Sequence, residues 1–147
     1  MADTASPEAP PAPPPSQDAP AARPLPLSQV VMAVALAWLV PGLGHVYLKR
    51  AARGLIFFLL VMISIGIGCG LQGNLYRPVQ GQWLSYLATF GEIGMGVPYF
   101  ALRYELHYEG QQEAAGFEYG TAFLLTAGLM NLLLVLDAWD IASGQKE

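Results

Sequence analysis

Charge is scarce in this chain. Of its 147 residues only 12% are Asp, Glu, Lys or Arg and 54% are hydrophobic, whereas soluble proteins average about 25% charged. A soluble helical bundle needs a polar stripe at helical period on each element, and the run LIFFLLVMISIGIGCG has none. Cysteine is scarcer still. Cys69 is the only one, which excludes an internal disulfide and a two-cysteine metal site, and its place between Gly68 and Gly70 suits a buried, inert thiol. His45 and His107 are the only histidines, and no HxxxH, ExxH or CxxC spacing gathers them into a metal shell. No GxSxG, P-loop or dinucleotide fingerprint occurs, since the glycine-rich GIGCG and GEIGMG lie inside apolar runs. Catalytic residues, cofactor and metal are therefore expected to be absent, and the chain reads as a non-enzyme. No nucleic-acid partner is expected.

What is present is apolar length. Charge-free runs cover residues 24–48, 54–76 and 119–136, and another from 78 to 102 is broken only by Glu92. A bilayer-spanning helix needs about 20 such residues. The expected fold is all-α, an integral membrane bundle of four transmembrane helices near 28–48, 54–72, 83–102 and 119–139, forming a domain over 28–147. Ahead of it, nine of the twelve prolines fall within residues 1–26. Proline removes backbone donors and favours an extended chain, so residues 1–27 read as a disordered Pro/Ala-rich tail.

No basic segment leads directly into an apolar one at the start, as a secretory signal would require, so the first run is expected to stay as a span. Lys49, Arg50 and Arg53 cluster after it. Basic residues in short loops favour the cytoplasmic side, which for four spans puts both termini outside a bacterial inner membrane. The loop RYELHYEGQQEAAGFE, with Glu105, Glu109, Glu113 and Glu118, then shares the cytoplasmic face with the basic turn.

Glu92 stands tenth in its expected span, near mid-membrane, where ionisable side chains are costly and mark function by default. No lysine or arginine is expected at that depth. Asn131 lies at similar depth in the fourth span, and Ser64, Ser85 and Thr89 offer further donors. The expected arrangement is an intramembrane polar pair, a protonated Glu92 hydrogen-bonded to Asn131. Gly66 and Gly70 form a GxxxG pair suited to close helix contact.

The stretch WLVPGLGHVYLKRAARG interrupts the first apolar run. Pro41 lacks an amide proton and Gly42 and Gly44 loosen the backbone, so the helix is expected to kink or end there. His45 and Tyr47 then fall at the interface, Lys49, Arg50 and Arg53 reach lipid phosphates, and Gly54 lets the next helix start close by. PGLGHVYLKRAARG resembles the PGxGHxYLGRxxxG turn of bacterial relatives of the two-transmembrane-helix domain family. From about residue 28 to 144 the chain is similar to uncharacterised small bacterial membrane proteins sharing that turn. The resemblance implies a helical hairpin with a short basic loop and no particular activity. The chain differs in carrying Lys49 where glycine is common and in lacking the Asp-Arg-Phe triplet of eukaryotic members.

Three functional classes follow. The leading one is a non-enzymatic scaffold or modulator of a membrane assembly, partnered by the lipid bilayer and by a membrane protein or further copies of itself. The second is a small transporter or ion-conducting oligomer using Glu92 and Asn131. The third is a lipid-acting membrane enzyme, suggested by His45 beside a basic cluster.

Overall fold

A computed structural model describes residues 25–145; most of the tail read as disordered lies outside the described residues. Among the described residues the regular structure is all helical. Helix α1 (Leu27–Leu39) is followed by a short α2 (Leu43–Tyr47) and a long α3 (Ala51–Gly70). Helix α4 (Trp83–Ile93), a four-residue α5 (Val97–Phe100) running into a π-helical turn (Ala101–Glu105), and α6 (Phe117–Ala142) complete the order.

Among the described residues, only α3 and α6 are long and apolar enough to cross a membrane, at 20 and 26 residues. This corrects the expected four spans. Helix α1 has 13 residues and α4 has 11, or about 20 and 16 Å at 1.5 Å per residue, well short of a hydrocarbon layer of about 30 Å. The apolar runs 28–48 and 83–102 are long enough by count, but each is broken in the middle and doubles back.

The first break is at Pro41 and Gly42. Gly42 has φ of 78°, a left-handed conformation that favours glycine. Past it the chain reverses, because a Cβ at Gly44 would meet the Ala37 methyl at 2.6 Å and the Ala33 carbonyl at 2.5 Å. Helix α2 thus lies back along α1. Three contacts with α6 confirm the direction: Leu25 N donates to Ala142 O (3.1 Å), the Trp38 carbonyl accepts from Asn131, and His45 meets Asp137. From residue 25 to 38 the chain advances along α6, and from 38 to 45 it retreats.

The second break mirrors the first. Gly96 has φ of 71° and precedes α5 as Gly42 precedes α2. The chain enters along α6 as α4, with Gly91 beside Leu125 and Gly94 beside Leu132. It then returns to the end it came from. There the Tyr108 hydroxyl donates to Gly73 O at 2.9 Å, and Gln111 N donates to Gln72 O at 3.1 Å. Burial and the neighbouring Cys69 push the Tyr108 hydroxyl up to about 12, so it remains a donor at neutral pH.

The architecture is therefore a helical hairpin followed by a long helix, and then the same unit inverted. Helix α6 is its centre and packs against α1, α3 and α4. Its buried positions Gly120, Leu124, Ala127, Asn131, Leu134 and Ala138 recur at steps of four and three, a continuous helical seam. Half of these are glycine or alanine, so neighbouring backbones come close. Helix α3 runs antiparallel to it, with Ser64 Oγ donating to Phe123 O at 2.9 Å. The expected GxxxG contact does not form within the chain, because Gly66 and Gly70 face open space.

This topology also reassigns the ends. Leu25, Ala142 and the Leu48–Arg50 turn lie at one end, here the proximal end, where Val30, Ala33, Leu48 and Ala142 cluster. Residues 71–82 and 106–116 lie at the distal end, joined by an ion pair between Arg77 and Glu109. The basic turn and the acidic loop, expected on one face, are at opposite ends. The reason is that each hairpin turns back halfway instead of crossing.

The tips predict a sharp asymmetry among glycines. A Cβ at Gly96 would collide with the Trp38 carbonyl, whereas one at Gly66 meets nothing within 4 Å. Gly96→Val is expected to cost about 3 kcal/mol, from left-handed strain and overpacking together. Gly66→Val should stay within about 1 kcal/mol. Denaturation in detergent micelles tests this, and equal losses at the two sites would contradict the tip packing.

Candidate functional site

Breaking a helix leaves carbonyls without their i+4 donors, and buried carbonyls must find others. The two hairpin tips meet halfway along α6 and share one donor. Asn131 Nδ2 donates to Gly94 O at 2.8 Å and to Trp38 O at 3.3 Å. Trp38 belongs to the last turn of α1, and Gly94 directly follows α4. A single side-chain amide thus caps the carboxyl-terminal ends of two half-helices that arrive from opposite directions. Both ends carry the negative pole of a helix dipole. Asn131 is fully buried and its Oδ1 has no hydrogen-bond partner.

Glu92 lies beside this junction on α4, with its Cα 2.8 Å from where a Cβ at Gly128 would sit. It is fully buried. The expected hydrogen bond to Asn131 is not made. Glu92 Oε2 instead accepts from Tyr76 N at 2.7 Å, and Oε1 has no hydrogen-bond partner. The reason is directional, since helical side chains lean towards the helix amino terminus. That carries the Glu92 carboxyl towards the distal chain at Tyr76, while the Asn131 amide is taken by main-chain carbonyls. Arg103 lies in the returning second hairpin, and among the described residues no hydrogen bond or ion pair joins it to Glu92.

The residues of the PGLGH motif divide by position. Pro41, Gly42, Gly44 and His45 are buried, as is Gly54, whereas Tyr47, Lys49 and Arg53 are exposed. Gly42 and Gly54 touch backbone to backbone. His45 was expected at a membrane boundary and is instead completely buried. Its Nε2 donates to Asp137 Oδ2 at 3.0 Å, and its ring meets Phe57 edge to face at 5.1 Å. This contact fastens α2 to α6 with α3 alongside. Nδ1 has no hydrogen-bond partner.

Asp137, the Tyr76 amide and the Trp38 carbonyl went unnoticed in the sequence as groups of this site. Asp137 left a signal there, as the first acid to interrupt the apolar run LLLVL. The others left none, because main-chain donors and acceptors look the same at every residue. Among the described residues no group of three or more His, Cys, Asp or Glu could hold a metal ion.

Fold and site together define an all-helical protein of two long apolar helices and two inverted, broken hairpins joined at a buried polar centre. The chain belongs to the family of unknown function DUF6677, whose model matches residues 32–147. Neither a curated protein nor a solved structure matches it.

The His45 to Asp137 contact is expected to show positive coupling in a double-mutant cycle of His45→Ala and Asp137→Ala. Interhelical hydrogen bonds in membrane proteins give about 0.6 kcal/mol on average and about 1.7 at most. A cycle is required because Asp137 has interactions beyond His45. Strictly additive losses would mean that the two side chains act separately.

Proposed function

We propose that this chain is a small, non-enzymatic bacterial inner-membrane protein of transport type, which handles an ion at the junction of its two hairpins. The observation carrying this reading is the convergence of two half-helix ends on Asn131 beside buried Glu92. Non-helical backbone is tolerated at membrane depth only inside protein or along a cavity, and inverted repeats with broken helices place binding sites near mid-membrane. Helices α3 and α6 would be the spans, with leucines and isoleucines such as Leu55, Ile56, Ile63 and Leu133 turned outward to the lipid. The turn shared with the two-transmembrane-helix domain family becomes the tip of a re-entrant hairpin.

The proximal end carries Lys49, Arg50 and Arg53, and in sequence Arg23 and Lys146 adjoin it. The distal end carries Arg77 and Arg103 with four glutamates. The positive-inside preference then puts both termini in the cytoplasm, opposite to the orientation expected from four spans. In a Cys69→Ser background, an impermeant maleimide applied from the periplasmic side should label Gln80→Cys and Gln112→Cys alike and spare Lys49→Cys. Labelling of only one of the two glutamine positions would contradict the inverted hairpin.

A scaffold role is the second reading, favoured by the open face that Gly66 and Gly70 present on α3. Such a pair suits a helix of another membrane protein or of a second copy. A lipid-acting enzyme gains no support, since His45 is enclosed and bonded to Asp137. Flux separates the classes. Liposomes holding the purified protein should pass protons or alkali cations faster than empty ones, and Glu92→Gln should reduce the rate by about tenfold or more, as loss of one buried charge-bearing ligand allows. Wild-type rates equal to those of empty liposomes would sink the transport reading and leave the scaffold.

A further inference from the structure

Asn131 offers a sharper statement about the ion. A side-chain amide has two orientations, related by a half-turn about its last torsion, with nearly the same shape. One is occupied here, with Nδ2 towards the Gly94 and Trp38 carbonyls and Oδ1 buried without a hydrogen-bond partner. Turned over, Oδ1 would face the same two carbonyls at the same separations, 2.8 and 3.3 Å. Three oxygens so placed repel one another in an apolar interior unless a cation lies among them. Both separations are hydrogen-bond lengths, and a cation held by all three oxygens at about 2.4 Å, the range of small hard cations, would open the shorter one towards an octahedral edge of roughly 3.4 Å.

We infer that the junction of Trp38 O, Gly94 O and Asn131 Oδ1 is a binding site for a dehydrated monovalent cation of sodium size. The inference rests on the ion-handling reading and gives it a chemical identity. In it the Asn131 amide is a two-position element. Without the ion its NH2 group bridges the carbonyls, and with the ion its oxygen replaces the nitrogen. Carboxyl-terminal ends of half-helices and unwound carbonyls supply the field, as broken-helix sites do for sodium. Glu92, fully buried with Oε1 unpartnered and two residues before Gly94, would offset the ion's charge from outside the three oxygens, since its Oε2 is held by Tyr76 N. Three neutral oxygens and a single carboxyl make a site too weakly charged for a divalent ion.

Asn131→Asp gives the proposal a signature that a purely structural asparagine would not produce. The aspartate cannot donate to the two carbonyls but keeps the oxygen. Its thermal midpoint should therefore be low in choline chloride and recover in sodium chloride at equal ionic strength, with a larger sodium response than the wild type. Glu92→Gln should weaken the wild-type sodium response by about tenfold or more, the scale on which an outer-shell partner acts on metal affinity. Radiolabelled sodium retained by the purified wild-type protein, saturable and not displaced by potassium, is the direct measurement and does not depend on any variant folding. Absence of saturable retention overturns the site. An equal loss of stability by Asn131→Asp in both salts also overturns it. Proton flux without sodium binding would reject the sodium site and preserve the ion-handling reading, whereas sodium binding without flux would do the reverse.

Discussion

The hydrogen bonds from the Asn131 amide to Gly94 O and Trp38 O are the constraint on which the rest of the structure depends. Any helix that ends inside a protein exposes carbonyls that water cannot reach, and each one left unpaired costs about 1 to 3 kcal/mol. Two such ends meeting at one donor require close backbones. That requirement explains the glycine at each tip, the small residues along α6 and the chain-to-chain contacts of Gly94 and Gly96. Apolar side chains alone could not replace this arrangement, since none of them donates a proton.

Each hairpin is held a second time away from the junction. At the proximal end His45 of α2 reaches Asp137 on α6. At the distal end Tyr108 reaches Gly73, and Glu109 pairs with Arg77. The last of these is exposed and contributes little, about 0 to 1 kcal/mol. The buried pairs matter more, because they fix how far each tip can withdraw from Asn131. Each hairpin is thereby gripped at its base and at its tip.

The electrostatic pattern follows the same inversion. Basic side chains gather at the end where Leu25 meets Ala142, and acidic ones gather between Glu105 and Glu118. An attraction between these loops would require them to be neighbours, which they are not. Glu109 finds its partner in Arg77, on the adjoining distal segment.

The sequence by itself determined that the chain is helical and apolar, that its first run breaks at Pro41 and Gly42, and that Glu92 and Asn131 would be enclosed. Each of these rests on local chemistry: a missing amide proton, a count of apolar residues, a polar side chain inside a lipid-length run. Tertiary structure alone decided which way the chain went after each break. Pro41 ends a helix equally well in a kink that continues and in a turn that reverses, and the choice lay with the fit of Gly44 against Ala33 and Ala37. It also decided the partners of the polar groups. Asn131 took two carbonyls and Glu92 took the amide of Tyr76, main-chain groups left outside regular helix hydrogen bonding. Those atoms are the same at every residue, so their positions exist only once the chain is folded.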